Sequence, residues 1–349
     1  MSSDERDGSF EETTEYCLRF VTEQLEKHRN SDMNTPLFVG LNGVQGCGKT
    51  TLASSLAQRL SQAPYSLPTI VFSIDDLYLS HKDQKRLAED HPSNPLVQHR
   101  GQFSTHDISL GRSLLADLKQ GKESKLPSFD KSEFGGEGDR VAENQWKIIN
   151  TPGMQRPKIV ILEGWCVGFR ALSDKEVLRR WQEATSEKVE GTYVGRLASN
   201  TFDNISFVNQ ALKQYDDLTD HMDSIIHIDA ADPVFVYRWR MEQEVKLRIQ
   251  RGSGMSDDQV VKFVDGYYPA YELYTDGLRD GVFATSGRQL RLVINKDRRV
   301  ERLIGPLAGN DVSVNVGNTL TSICTILNGN VEARRVVDTL NHPSDLLDR

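Results

Sequence analysis

Five short apolar runs rich in β-branched residues punctuate the chain: LFVGL at 37–41, TIVFSI at 69–74, KIVIL at 158–162, SIIHI at 224–228 and QLRLVI at 289–294. Several are continuous rather than alternating, the pattern of strands covered on both faces. Helical periodicity lies between most of them. Over 49–60, Leu52, Leu56 and Leu60 recur four apart with Ala53 and Ala57 beside them, which predicts an amphipathic helix. A second helix is predicted over 107–120, with Thr105 or His106 near its start and Gly121 at its end. A third, over 10–29, places Phe10, Cys17, Phe20, Val21 and Leu25 on one stripe, and residues 1–9 read as a loose tail. Strand–helix alternation of this kind predicts an α/β fold with a five-stranded parallel sheet flanked by helices.

The spacing is uneven. More than eighty residues separate the second and third runs, too many for a bare loop. Residues 83–157, with the Gly-rich stretch FDKSEFGGEGDR, read as an inserted substrate-binding subdomain. The predicted division is an N-terminal tail and helix over 1–34, a main domain over 35–300 and a C-terminal extension over 301–349. In the extension, residues 300–307 and 323–327 are apolar enough to pack.

Composition narrows the function. The 349 residues carry 42 Lys and Arg against 50 Asp and Glu, a formal charge of −8. An acidic chain without a basic stripe argues against nucleic acid as partner. No run of ~20 apolar residues is present, so no membrane span is expected. The N-terminus has neither a signal peptide's apolar core nor a transit peptide's basic character. Cys17, Cys47, Cys166 and Cys324 are widely spaced and read as reduced thiols. The expected location is the cytosol, with the nucleus as an alternative.

Gly43-Val44-Gln45-Gly46-Cys47-Gly48-Lys49-Thr50 fits G-x-x-x-x-G-K-[ST] between an apolar strand and a helix, with Thr51 following. Glycines let the backbone wrap a phosphate, and the helix N-terminus favours anions. Lys49 is expected to reach the β- and γ-phosphates of ATP, and the Thr50 hydroxyl to hold Mg²⁺. Two acids end strands at the edge where open α/β sheets bind ligands. Asp75 follows the second run, with Asp76, Leu77 and Tyr78 behind it. Glu163 ends the third. Thr50, Asp75 and Glu163 are the candidate metal ligands. His91, His99 and His106 are scattered and form no metal motif.

Strand–GxxxxGKT–helix, then SxDDLY, then VILEGW resembles the P-loop kinase group of uridine kinase, phosphoribulokinase and pantothenate kinase. A narrower branch, plant-type D-glycerate 3-kinase and its fungal ATP-dependent kinase homologues, is similar at further segments. These are NPLVQHRGQFSTHD at 94–107, PSFDKS at 127–132, GEGDR at 136–140, WRMEQEVKLR at 239–248, GMSDDQVVKFVDGYYPAYELY at 254–274 and LRLVINKDR at 290–298. The resemblance spans about residues 35–300 and departs at Gln102-Phe103-Ser104, where the branch has something closer to Leu-Pro-Gly. It implies that Asp75 is the general base toward an acceptor hydroxyl and Glu163 the Walker-B-like acid. It places Tyr78, Arg100, Thr105, His106, Asp107, Asp130, Lys131 and Arg140 around the acceptor, with Asp139 at the same cleft. Arg100, Lys131 and Arg140 would then supply the cationic pocket that a small hydroxy acid needs.

In the wider group a lid helix offers arginines to the transferring phosphoryl. Here the lid and the helices after it fall at 236–275. VYRWRMEQEVKLRIQR carries five basic and two acidic residues. Glu242 with Lys246 and Glu244 with Arg248 are expected to pair. Arg238 and Arg240, without a partner ahead of them, are the candidates for the phosphoryl. Tyr267, Tyr268, Tyr271 and Tyr274 read as helix packing, and residues 295–297 are placed beside the adenine by position. The implied activity is ATP-dependent phosphorylation of a small molecule, D-glycerate by resemblance. A nucleoside or other sugar-acid kinase and a non-catalytic ATP-dependent switch stand as alternatives.

Overall fold

A computed structural model of the chain describes residues 3–192, 194–252, 254–307 and 310–315. The five apolar runs form β1 (Leu37–Gly43), β2 (Thr69–Ser73), β3 (Ile159–Gly164), β4 (Ser224–Ala230) and β5 (Gln289–Ile294). They are parallel to one another. β1 lies at the centre between β3 and β4, and every residue of it is buried. Leu41 of β1 sits opposite Glu163 of β3, and Gly43 opposite Ile228 of β4. That register brings the chemistry-bearing strand ends to one edge.

The sheet is larger than the five strands expected. β6 (Val300–Leu307) and β7 (Asn310–Asn315) continue it antiparallel beyond β5, giving the order β7-β6-β5-β4-β1-β3-β2. Gly305 and Pro306 interrupt the apolar pattern of β6, which hid it as a strand. Residues 323–327 and Cys324 lie outside the described residues.

The helices pack on both faces of the sheet. α1 (Ser3–Ser31) buries Cys17, Leu18, Phe20, Val21 and Leu25. It begins well before Phe10, so 3–9 are helical rather than a loose tail. Once the apolar stripe anchors a helix, each added residue costs little. α2 (Lys49–Ser61) buries Leu52, Ala53, Leu56 and Leu60. The insert contributes α3 (His81–Asp90), α4 (Ile108–Lys119) and two small hairpins. One pairs Ser124–Leu126 with Lys147–Ile149, the other Phe129–Asp130 with Asp139–Arg140. Asp107 caps α4, accepting from the Leu110 N–H at 3.0 Å. Beyond β3 come α5 (Asp174–Glu190), α6 (Phe202–Leu212), α7 (Asp216–Thr219), α8 (Phe235–Arg251) and α9 (Asp257–Asp280). The α9 tyrosines are buried as predicted.

One charged group is buried in β4. Asp229 is only 2% exposed and lies between Arg279, at 2.9 Å, and Arg291, at 2.6 Å. His227, two residues earlier on the same strand face, approaches Asp229 at 3.9 Å. Burial lowers the His227 imidazole to about 4, against an opposing pull from Asp229. His227 is therefore neutral in the fold but takes a proton near 6.5 when unfolded. Between those values the unfolded state binds more protons, so stability is complete above about pH 6.5 and is lost as pH falls toward about 4. The slope from this one group is at most about 1.4 kcal/mol per pH unit. Urea unfolding between neutral pH and the acid end of that window should show a shallower pH dependence for His227→Leu than for the natural chain.

Candidate active site

Gly43–Thr50 closes the end of β1 and opens α2. Gly46 and Gly48 have φ of 74° and 104°, the left-handed region that glycine enters without strain. A methyl group on Gly46 would come within 2.8 Å of the Trp239 backbone. The phosphate loop is thus pressed against the start of α8. Gly48 caps α2 with no side-chain bond, leaving the first helical N–H groups open toward an anion. Lys49 Nζ folds back to donate to the Val44 carbonyl at 3.2 Å. Thr51 faces solvent, and Gln45 is half-buried with its Oε1 unpartnered. Cys47 is buried, and burial pushes its thiol up; this argues against a reactive thiolate.

Thr50 Oγ1 donates to Glu163 Oε1 at 3.0 Å. Of the three candidate metal ligands, these two are brought together directly. Asp75 engages a different partner. It lies in the 3-10 turn Ile74–Leu77 after β2, where the two adjacent acids divide their work. Asp76 Oδ2 accepts from the Ser73 N–H at 2.9 Å, and Ser73 Oγ accepts from the Asp75 N–H at 3.2 Å. This capping box turns Asp76 back onto Ser73 and leaves the Asp75 carboxylate to meet Lys131 Nζ at 2.6 Å. Burial would raise the Asp75 carboxyl, but Lys131, helped by His106 and Lys49, outweighs it and holds the acid below its ordinary range. Among the described residues no three His, Cys, Asp or Glu side chains gather as a metal-binding group.

The expected acceptor residues surround this pair, and most are already bonded within the protein. Tyr78 stacks on His106 with ring centroids 4.4 Å apart, and its hydroxyl lies 3.4 Å from that of Tyr267. His106 Nδ1 lies 2.6 Å from the Tyr215 hydroxyl, while its buried Nε2 has no partner. Burial lowers this imidazole to about 4. The Thr105 hydroxyl donates to the Gln102 carbonyl at 2.7 Å and accepts from the Gly101 N–H at 2.9 Å, which spends it on the turn. Arg140 donates to the Tyr78 carbonyl at 2.8 Å and pairs with Asp107 at 3.2 Å. Arg100 donates to the carbonyls of Gly136 and Glu137. Asp130 accepts from the N–H and hydroxyl of Ser132 at 2.8 and 2.6 Å, and Asp139 from the His81 N–H at 2.8 Å. Arg100, Thr105, Asp107, Asp130 and Arg140 are therefore engaged by the protein's own groups. Of the three cations expected to form the pocket, Lys131 is the one bonded to Asp75.

The lid pairs run the other way from the expectation. Arg238 bonds Glu242 at 2.9 Å and Asp297 at 3.2 Å, and Arg240 bonds Glu244 at 2.8 Å. Each glutamate stands four residues after an arginine as well as four before a base, and packing chose the arginine. Arg248 takes Asp257 instead, at 2.7 Å. Arg240 keeps one buried nitrogen, Nη1, without a partner.

Sequence reasoning missed Arg298. Its Nε donates to the Gly46 carbonyl at 2.8 Å, its Nη1 to Glu242 at 2.8 Å, and its guanidinium lies 5.3 Å from the Trp239 ring centroid. Trp239 Nε1 in turn donates to the Lys296 carbonyl at 2.7 Å. Residues 295–298 thus border the phosphate loop and lock it to α8. One arginine after a strand gives no signal of this.

The chain is similar to known kinases. It is 35% identical over 293 residues to an uncharacterized kinase of Schizosaccharomyces pombe, covering 83% of this chain and 98% of that protein. It is 33% identical over 264 residues to the chloroplastic D-glycerate 3-kinase of Arabidopsis thaliana, covering 74% of this chain and 52% of that one, so it spans about half of the plant enzyme. The solved structure of D-glycerate 3-kinase from Cryptococcus neoformans superposes with a TM-score of 0.76 at 33% identity, covering 84% of this chain and 99% of that one. No family model matches. With the phosphate loop, two strand-end acids and these relatives, the chain belongs to the ATP-dependent P-loop small-molecule kinases that include the D-glycerate 3-kinases.

Proposed function

We propose that the protein transfers the γ-phosphoryl of ATP to a hydroxyl of D-glycerate, giving 3-phosphoglycerate. The Asp75–Lys131 pair carries this reading. It sets a proton acceptor and a cation 2.6 Å apart, one suited to a hydroxyl and the other to a carboxylate, and a small hydroxy acid bears both groups. The D-glycerate 3-kinases among the relatives support the same acceptor.

The donor side follows from the residues present. Lys49 would leave the Val44 carbonyl for the β- and γ-phosphate oxygens. The Thr50 hydroxyl and Glu163 carboxylate are hard oxygen donors, and two such groups with phosphates and waters suit Mg²⁺. Bound there, that ion would neutralise charge on the phosphates. Asp75 would take the proton as the acceptor oxygen bonds the phosphorus and the bond to ADP breaks. Arg240, with its unpartnered Nη1, is a better candidate than Arg238 to steady the transferring oxygens. Arg238 is half-exposed and held by two acids.

ADP release with Mg-ATP checks the acceptor across D-glycerate, L-glycerate, gluconate, uridine, pantothenate and ribulose 5-phosphate. Stimulation by D-glycerate above the others is expected. Stimulation by another acceptor alone would replace the assignment, and stimulation by none would favour a switch protein. Asp75→Asn should keep ATP binding and lose kcat by a factor of ~10²–10⁴. Lys49→Ala should weaken ATP binding itself. Arg240→Gln should lower kcat by a factor of ~10²–10³, with Arg238→Gln changing it far less. Arg298→Ala should loosen the phosphate loop and raise KM for ATP more than it lowers kcat.

A further inference from the structure

Lys131 is placed unusually for a substrate ligand. Its ammonium sits on the carboxylate expected to act as base, at 2.6 Å, yet its side chain is 58% exposed. The backbone on both sides is held. Before it, Phe129–Asp130 pairs with Asp139–Arg140, and Asp130 accepts from Ser132. After it, Glu137 bonds His81 at 2.7 Å and Lys85 at 2.8 Å. Arg100 ties down two carbonyls, and Phe134 stacks on His81 with centroids 3.8 Å apart. Freedom to leave Asp75 therefore belongs to the lysine side chain and not to the loop.

While that pair is closed, the ammonium occupies the Asp75 Oδ2 atom that an acceptor hydroxyl would have to reach. Of the three cations expected around the acceptor, Lys131 is the one bonded to the carboxylate that the hydroxyl would approach. An acceptor that brings its own carboxylate offers the ammonium a second counter-ion; water or a neutral alcohol does not.

We propose that Lys131 is a substrate-operated latch on Asp75, released by the acceptor's carboxylate, so that the enzyme both selects anionic acceptors and spares ATP from water. This rests on the kinase reading above, with Asp75 as base. With the latch open, the acceptor oxygen bonds the γ-phosphorus, the bond to the ADP oxygen breaks, and the hydroxyl proton passes to Asp75. Wasteful hydrolysis is the same step with water in the acceptor's place, and the closed latch suppresses it.

The test measures ADP release without acceptor, with D-glycerate and with glycerol, which has the hydroxyls but no carboxylate. Lys131→Met should raise acceptor-free hydrolysis about tenfold or more. It should raise KM for D-glycerate about tenfold and erase the preference for D-glycerate over glycerol. Lys131→Arg should restore both. Adding Asp75→Asn to Lys131→Met should return hydrolysis to the natural level, which a merely structural lysine would not produce. Unchanged or lower hydrolysis in Lys131→Met, with the preference for D-glycerate intact, would overturn the latch. If the natural chain ignores D-glycerate altogether, the acceptor assignment fails, while the hydrolysis measurements still decide the latch.

Discussion

The backbone of Gly46 lies so close to that of Trp239 that no β-carbon fits between them. The arrangement of the donor side follows from that contact. It forces the phosphate loop to share a wall with the first turns of α8, where Val236 and Trp239 are fully buried. It also puts the Gly46 carbonyl within reach of Arg298, which holds loop and helix together through Glu242. The usual picture of a lid is a segment swinging free of the nucleotide loop. Here the first half of the helix is part of that loop's support, while in its far half Val245 and Ile249 face solvent.

Two neighbouring acids show how local chemistry decides function. Asp75 and Asp76 are identical in type and adjacent in the chain. The capping box consumes Asp76 and burial raises its carboxyl, while Lys131 lowers that of Asp75. The strand that precedes them, β2, is the edge strand paired parallel with β3, with Ser73 opposite Glu163.

Much of this was legible in the sequence. Continuous apolar runs pointed to β1, β3 and β4, every residue of which is buried, because a strand covered on both faces leaves no polar alternation to obscure it. The phosphate loop and the strand-end acids were legible because their spacing is dictated by a ligand. β6 was not recognised as a strand, because Gly305 and Pro306 break its pattern. The lid pairs were misassigned because Glu242 and Glu244 have a base four residues away in both directions, and only packing breaks that tie. Arg298 was invisible because its partners, the Gly46 carbonyl, the Trp239 face and Glu242, all lie more than fifty residues away in the chain. For the expected pocket residues, sequence could not tell a side chain engaged within the protein from one left open to a ligand. That distinction depends on which hydrogen bonds are already made.

The stack of Tyr78 on His106, closed at its edge by Tyr215, leaves a buried imidazole beside the proposed reaction centre. Burial keeps that ring uncharged down to about pH 4. Lys131, raised by Asp75, keeps its proton, and Asp75, lowered in turn, keeps its charge. None of the three changes its charge in the range between neutrality and moderate acid. Acidification toward about pH 4 therefore leaves these charges unaltered, while the depressed imidazoles of His106 and His227 together make the fold less stable.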